Sequence, residues 1–318
     1  MKLLRIGTRG SALALWQANF VVDSLKRAHG IETELVRIRT SGDKLQNAPV
    51  AQINEQIGSE NGAKGIFIKE LEEALLAGTI DLAVHSMKDV PTEIPEGLTF
   101  AAITRREDPR DCLISRKGGT LRTLREGARI GTSSLRRQAQ IRHHRPDLDV
   151  VDLRGNVDTR LRKLENGEFD SIVLAIAGVN RLGLANKITQ VLDEDIVLPA
   201  VGQGALGIET RANHRETCDL VATLDHAETR ACITAERALL RELQGGCQVP
   251  LGALGCLRGD ELHLEAAVFS TAGSEYVRSS ENGPMQEAEA VGVRLAAALI
   301  EEGADRILRL AGRSVGQA

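Results

Sequence analysis

Arg5-Ile6-Gly7-Thr8-Arg9-Gly10-Ser11 and Arg129-Ile130-Gly131-Thr132-Ser133-Ser134 each carry an apolar strand through Gly-Thr to a serine placed to cap a helix. Four shared residues are thin ground for a duplication. The weight lies in their equivalent placement at a strand end. Outward from the first, residues 3–8 are expected as a buried strand, and Ser11 opens a helix carrying Leu13, Trp16, Phe20 and Leu25 that stops near Gly30. Residues 32–40 alternate as a second strand, 67–77 return to helical spacing, and 81–86 form another strand ahead of Lys88-Asp89 and the Pro91/Pro95 turn. Outward from the second, strands are expected over 129–132, 150–154 and 171–177, with helices over 134–145 and 157–166. Strand, helix, strand order of this kind implies parallel sheets with crossover helices. Residues 41–65 lose periodicity and read as a long lid loop or a disordered segment.

A strand over 205–209 follows a Gly-rich turn and is placed to return to the first unit. From Asp225 the character changes: a long helix runs through Ala231, Ala235, Ala238 and Leu239 to Gly245-Gly246, followed by short strands over 251–257 and 262–269 and a helix over 287–302. This reads as a smaller α+β domain.

At 318 residues the chain is too long for one compact domain and fits two or three. Hydrophobic residues at 42% and charged ones at 26% exclude a disordered, collagen-like or small disulfide-stapled protein. With 40 Lys+Arg against 44 Asp+Glu, the net charge of −4 speaks against general affinity for nucleic acid or anionic membrane. The longest apolar runs, such as 172–177, fall far short of the ~20 residues of a membrane span. The start, Met1-Lys2-Leu3-Leu4-Arg5, breaks off before a signal-peptide apolar region, so a cytoplasmic location is expected. Cys112, Cys218, Cys232, Cys247 and Cys256 are scattered, with no C-x-x-C pair and no zinc-finger spacing to histidine, so neither a disulfide framework nor a metal site is expected.

Charge is uneven along this acidic chain. Between Arg129 and Arg162 lie eight arginines against four aspartates, a local excess of four positive charges. Several fall at strand-to-helix junctions, the edge of an α/β sheet where ligands bind and helix N-termini offer free N–H groups to anions. Arg9 with Ser11, residues 132–137, and Arg154 with Asn156 and Arg160 occupy such junctions. A planar guanidinium holds both oxygens of a carboxylate. No G-x-x-x-x-G-K-[ST] loop is present, and Gly202-Gln203-Gly204 lacks the full dinucleotide fingerprint, so a ligand with several carboxylates fits better than a nucleotide. A solvated helix face with scattered ion pairs is the plain alternative, weakened by the recurrence of these arginines at one structural position.

His85-Ser86-Met87-Lys88-Asp89 ends an apolar strand before a proline turn, where a neighbouring cation and acid can bind an anion and move a proton. An ordinary surface turn fits that motif equally well, and His85 alone reads as a hydrogen-bonded structural histidine. Gly245-Gly246-Cys247-Gln248-Val249-Pro250 sets Cys247 on a tight loop, which favours a nucleophile or a covalent attachment point. No histidine or acid near it in sequence supports a Cys-His hydrolase. The other four cysteines read as packing residues.

Taken in order, residues 9–17, 64–70, 84–91, 107–111, 131–138, 153–161, 198–205 and 245–250 resemble the porphobilinogen deaminase, or hydroxymethylbilane synthase, family over nearly the whole chain. The resemblance implies a transferase of tetrapyrrole and heme biosynthesis that condenses four porphobilinogen molecules head to tail, with loss of ammonia, onto a dipyrromethane cofactor. Cys247 then holds that cofactor covalently through a thioether and Asp89 is the catalytic acid. Ser86, Lys88, Thr132, Ser133, Ser134, Arg136 and Arg137 match cofactor-binding positions. Arg9, Ser11, Gln17, Lys64, Arg154, Asn156, Arg160 and Gln203 match positions around the substrate and growing chain, with Lys64 in the family's mobile loop. Residues 52–61 read as an insertion relative to the bacterial pattern. No metal, nucleic acid or membrane partner is implied, and the absence of a long apolar helical seam favours a monomer.

The fold class expected is α/β: two doubly wound lobes like those of periplasmic binding proteins, plus a smaller α+β C-terminal domain. Its boundaries are drawn at 1–104 with 203–222, 105–202, and 223–318. A two-lobed anion receptor competes as a reading of the same lobes, but such a receptor has no need of the Cys247 loop with Asp89. Polyanion binding through the arginine cluster conflicts with the −4 charge and the 2% aromatic content.

Overall fold

The computed structural model describes residues 3–41, 68–243 and 249–315. The chain begins with β1 (Leu4–Thr8), α1 (Ala12–His29), β2 (Thr33–Arg37), α2 (Lys69–Leu76), β3 (Leu82–Ser86) and β4 (Leu98–Ile103). It continues with β5 (Asp111–Ser115), β6 (Arg129–Gly131), α3 (Leu135–His144), β7 (Asp149–Val151), α4 (Val157–Glu165), β8 (Ser171–Ala175), α5 (Ile176–Arg181) and β9 (Gln190–Leu192). Then come β10 (Leu206–Arg211), α6 (Arg215–Ala222), α7 (Ala227–Glu242), β11 (Leu251–Arg258), β12 (Glu261–Phe269), β13 (Tyr276–Pro284), α8 (Ala288–Glu301) and α9 (Ala304–Val315). Two compact units result: residues 1–106 with 205–230, and 107–204 with 231–318.

The first unit holds a sheet in the order β2-β1-β3-β10-β4. β1 runs parallel to both β2 and β3, whereas β10 is antiparallel to β3 and to β4. The second unit repeats the pattern as β7-β6-β8-β5-β9, with β6 parallel to β7 and β8, and β5 antiparallel to β8 and β9. Both sheets are therefore mixed rather than wholly parallel. Helix crossovers explain the parallel strands, and β5 and β10 enter by other routes that leave them free to run antiparallel.

The equivalence of β1 and β6 reaches single hydrogen bonds. Arg5 N–H donates to Asp81 Oδ2 at 2.9 Å while Asp81 N–H donates to the Arg5 carbonyl at 2.8 Å. Arg129 and Asp170 make the same exchange, both bonds at 2.9 Å. Ser11 caps α1 by accepting from Ala14 N–H, and Ser134 caps α3 by accepting from Arg137 N–H. Gly30, at φ +64°, ends α1 in the left-handed region where a side chain would be strained. α1 turns Ala18, Val21 and Leu25 into a core shared with Leu4, Ile6, Leu82, Val84 and Ile208.

A three-stranded antiparallel sheet, β11-β12-β13, forms the C-terminal domain. Leu262 and Leu264 of β12 bury one face against Ala235 and Leu239 of α7, Leu295 of α8 and Ile307 of α9. The apolar run expected as a strand to residue 177 stops at Ala175. Ala175 stands opposite Asp111, the first residue of β5, so pairing ends there; Ile176 N–H bonds the Arg110 carbonyl and α5 begins. The expected lid over 41–65, apart from Ser41, and its inserted part 52–61 lie outside the described residues.

Candidate functional site

In the first unit β3 leads into a 3-10 turn, Met87–Asp89. Met87, 2% exposed, anchors that turn, and its N–H bonds the Ala205 carbonyl at 3.0 Å. Gly207 of β10 makes the anchor possible, because a Cβ there would collide with Met87 Sδ and the Phe100 ring. With Met87 held inward, Asp89 is exposed at the carboxyl end of the strand and Lys88 is half-buried. A cleft gathers Arg9, Ser11, Gln17, Ser86 and Asp89 from the predicted set, with His85 added. Gln17 Nε2 donates to Ser86 Oγ at 2.8 Å, tying α1 to the strand end. Lys88 shares the turn but is not among the described residues of the cleft wall.

The second unit carries the cationic group. Arg136 and Arg137, in the first turn of α3, are both buried around Asp111, itself 0% exposed. Arg137 Nη2 donates to Asp111 Oδ1 at 2.6 Å, and Arg136 Nη1 lies 2.8 Å from Oδ2 as an ion pair without hydrogen-bond alignment. Arg136 Nη1 also donates to the Leu198 carbonyl and Arg137 Nη1 to the Val173 carbonyl. Burial alone would raise the Asp111 carboxyl, but the two guanidinium charges win and hold it well below the carboxylate range. One carboxylate thus meets two guanidiniums, and among the described residues the buried Nε of Arg137 has no hydrogen-bond partner.

Gln203 is buried and donates from Nε2 to Asp111 Oδ1 at 2.9 Å and to the Pro109 carbonyl at 2.6 Å. Its flanking Gly202 and Gly204 take φ of 75° and 90°, which is why the turn is glycine on both sides. Ser133 Oγ donates to the Leu153 carbonyl, and Thr132 Oγ1 accepts from Ser134 N–H, so these side chains brace the turn they stand on. Arg154 and Asn156 are exposed at the entry to α4, and Arg160 donates from Nε to the Gly155 carbonyl at 2.7 Å. Cys247 and Lys64 lie outside the described residues.

Sequence reasoning missed the acids that organise these side chains. Asp111 pairs the arginines, Glu209 bonds His85 at 3.0 Å, and Glu236 accepts from Gly202 N–H at 2.7 Å and Gly255 N–H at 2.8 Å. Glu236 shares α7 with Glu228 and Glu242, but Asp111 and Glu209 are each the single acid of a mostly apolar strand, far in sequence from the partner. That isolation was the available signal, since an unpaired buried charge is rarely tolerated. His85 is hydrogen-bonded, as its structural reading required. Burial, with Asp111 beside it, pushes the Cys112 thiol up to about 12, which leaves it inert. Among the described residues no helix is long and apolar enough to cross a membrane.

The first unit thus sets an exposed acid in one cleft with Arg9, and the second buries two arginines around one aspartate, in an α/β protein. The family model "Porphobilinogen deaminase, dipyromethane cofactor binding domain" matches residues 4–219, and "Porphobilinogen deaminase, C-terminal domain" matches 230–301. Relatives named porphobilinogen deaminase include those of Trichlorobacter lovleyi, 52% identical over 96% of both chains, and Geobacter metallireducens, 52% identical over 96% of this chain and 94% of that one. The chain belongs to the porphobilinogen deaminase family. Among solved structures, a periplasmic substrate-binding protein from Coxiella burnetii is similar at a TM-score of 0.42 and 14% identity, over 70% of this chain and 92% of that one. That likeness is too slight to carry an argument; the mixed sheets and their register define the fold class directly.

Proposed function

We infer that the chain catalyses the porphobilinogen deaminase reaction, joining four porphobilinogen molecules head to tail with loss of ammonia and releasing hydroxymethylbilane for tetrapyrrole synthesis. The observation that carries the site assignment is Asp89, exposed in a cleft whose other polar residues include Arg9, Ser86 and Gln17. Porphobilinogen bears an acetate and a propionate, so every unit brings two negative charges. Arg9 pairs with such a carboxylate, and Ser11 and Ser86 complete its hydrogen bonds. When the aminomethyl C–N bond breaks, the electron pair leaves with ammonia and the pyrrole ring becomes cationic. The Asp89 carboxylate beside the ring nitrogen lowers the energy of that cation. The new C–C bond forms as the attacking pyrrole carbon loses its proton.

The residues fit a dipyrromethane group on the strength of one feature. Among the described residues, Arg136 and Arg137 exceed Asp111 by one positive charge, and Arg137 Nε is without a hydrogen-bond partner. Arg136, Arg137, Ser133, Ser134 and Thr132 would hold its carboxylates together with Ser86 and Lys88, and Cys247 would form the thioether. When bound, this group supplies the pyrrole carbon to which incoming units are joined. Lys64, Arg154, Asn156, Arg160 and Gln203 serve the growing chain. We place the domains at 1–104 with 203–222, 105–202, and 223–318, and read the enzyme as a cytoplasmic monomer acting on porphobilinogen, without nucleic acid or membrane.

Asp89→Asn tests the reading. The variant keeps its circular dichroism and loses turnover about 10²–10³-fold, the scale of a lost electrostatic contact to a developing charge. Activity within a few-fold of the parent removes Asp89 from the chemistry.

A further inference from the structure

Behind the cleft of the first unit lies a buried group that the mechanism above does not use. In the β3–β10 register His85 stands opposite Gly207 and Ala83 opposite Glu209. His85 and Glu209 are therefore diagonal neighbours on one face. His85 Nε2 and Glu209 Oε2 are 3.0 Å apart, with side chains 3% and 0% exposed. Among the described residues, Glu209 Oε1 is buried without a hydrogen-bond partner. Phe100 meets the imidazole edge-on at 6.2 Å.

Packing does not call for such an arrangement. A buried histidine–carboxyl pair gains little over apolar residues of the same volume, and a buried oxygen left unsatisfied is a cost. What the pair does accomplish is local. His85 lines the same cleft as Asp89 and directly precedes Ser86, whose hydroxyl accepts from Gln17. A ring fixed by Glu209 fixes that wall and the strand end from which the Met87–Asp89 turn departs.

Glu72 stands on α2, the helix that packs against both β3 and β10 and lends its neighbour Leu71 to the wall of the same cleft. Burial first, then the charge of Glu209, push its carboxyl up to about 7, with His85 pulling the other way and Glu73 adding to the rise. The charges that act on Glu72, among the described residues, are Glu73 on its own helix, His85 on β3 and Glu209 on β10, and Arg9 and Asp89 line the same cleft as His85. When Glu72 loses its proton, a second carboxylate charge enters the space that His85 shares with Glu209.

We propose that Glu209, acting through His85, is a positioning residue for the Asp89 turn, and that Glu72 makes this support depend on its own protonation. The proposal rests on Asp89 being the catalytic acid, so the holoenzyme variants Asp89→Asn, Glu209→Gln and Glu72→Gln are measured together. Glu209→Gln keeps size and removes the charge-assisted bond. It lowers kcat about tenfold or more with KM within about twofold, the signature of a misplaced group rather than lost binding. Glu72→Gln matches the parent at pH 6 and exceeds it increasingly toward pH 8, as the parent's Glu72 ionises through about 7.

A second readout needs no turnover. A carboxyl whose folded value is raised from 4.5 to about 7 destabilises the fold progressively as pH rises between those values. Glu72→Gln therefore melts higher than the parent at pH 8 and together with it at pH 4. Parent-like kcat in folded Glu209→Gln, or a Glu72→Gln to parent ratio that stays flat from pH 6 to 8, overturns the proposal. If Glu209→Gln does not fold, the Glu72→Gln ratio decides alone. Turnover retained by Asp89→Asn breaks the underlying site reading instead.

Discussion

Asp111 illustrates what a single residue contributes here. Its carboxylate sits between Arg136 and Arg137 and also accepts from Gln203, three side chains that the sequence marks for ligand binding. Because its carboxyl is held below the ordinary range, its stabilising effect is complete at pH values above the unfolded pKa of ~3.9 and fades only on stronger acidification. Asp111→Asn leaves two buried guanidiniums without their counter-ion and is expected to cost about 3–5 kcal/mol in urea unfolding at pH 7. A loss below about 1 kcal/mol would mean that the backbone carbonyls alone carry the arginines. The arginines were legible because they recur at strand-to-helix junctions. Asp111 was not, because one acid at the start of an apolar strand has no spacing that links it to residues 25 and 26 places further on.

At the scale of elements, the repeated strand, Gly-Thr and capped helix was readable because the pattern changes from apolar run to helical spacing at a serine. Pairing was less readable. Strand direction depends on the route by which a strand arrives, and residues 176–177 are as apolar as the strand before them yet begin α5 once β5 offers no further partner. The two glycines of the repeat make a sharper case. A Cβ on Gly131 would stand 2.8 Å from Leu153 Cδ2, 2.8 Å from Phe169 Cδ1 and 3.0 Å from Leu153 Cβ, crowding a ring and a side-chain base. A Cβ on Gly7 would collide chiefly with Ile80 Cδ1, the free end of a side chain that can turn away. Gly131→Ala is thus expected to cost about 1–3 kcal/mol, and Gly7→Ala clearly less, by urea unfolding of each variant. Equal losses would show that β1 tolerates a side chain no better than β6.

The whole molecule is organised by a chain that leaves its first unit and returns. After residue 106 it builds residues 107–204, then comes back to place β10 between β3 and β4. The return was legible from the Gly-rich turn ahead of an apolar run. The antiparallel fit was not, since nothing local in 205–211 records which strands wait for it. β4 is the sheet's edge and β10 its neighbour in the pairing order, so residues 1–106 alone would leave β4 unpaired and strip Ile208 and Val221 from the core. That fragment is expected to show no slowly exchanging amides in β1 or β3. Joining residues 1–106 to 205–230 through a short Gly/Ser linker should restore them, because Thr104 N–H already bonds the Leu206 carbonyl at 3.0 Å and brings the two segments together. Protected β1 and β3 amides in the 1–106 fragment would show instead that the three parallel strands are a self-sufficient folding unit, with β10 added late and at little gain.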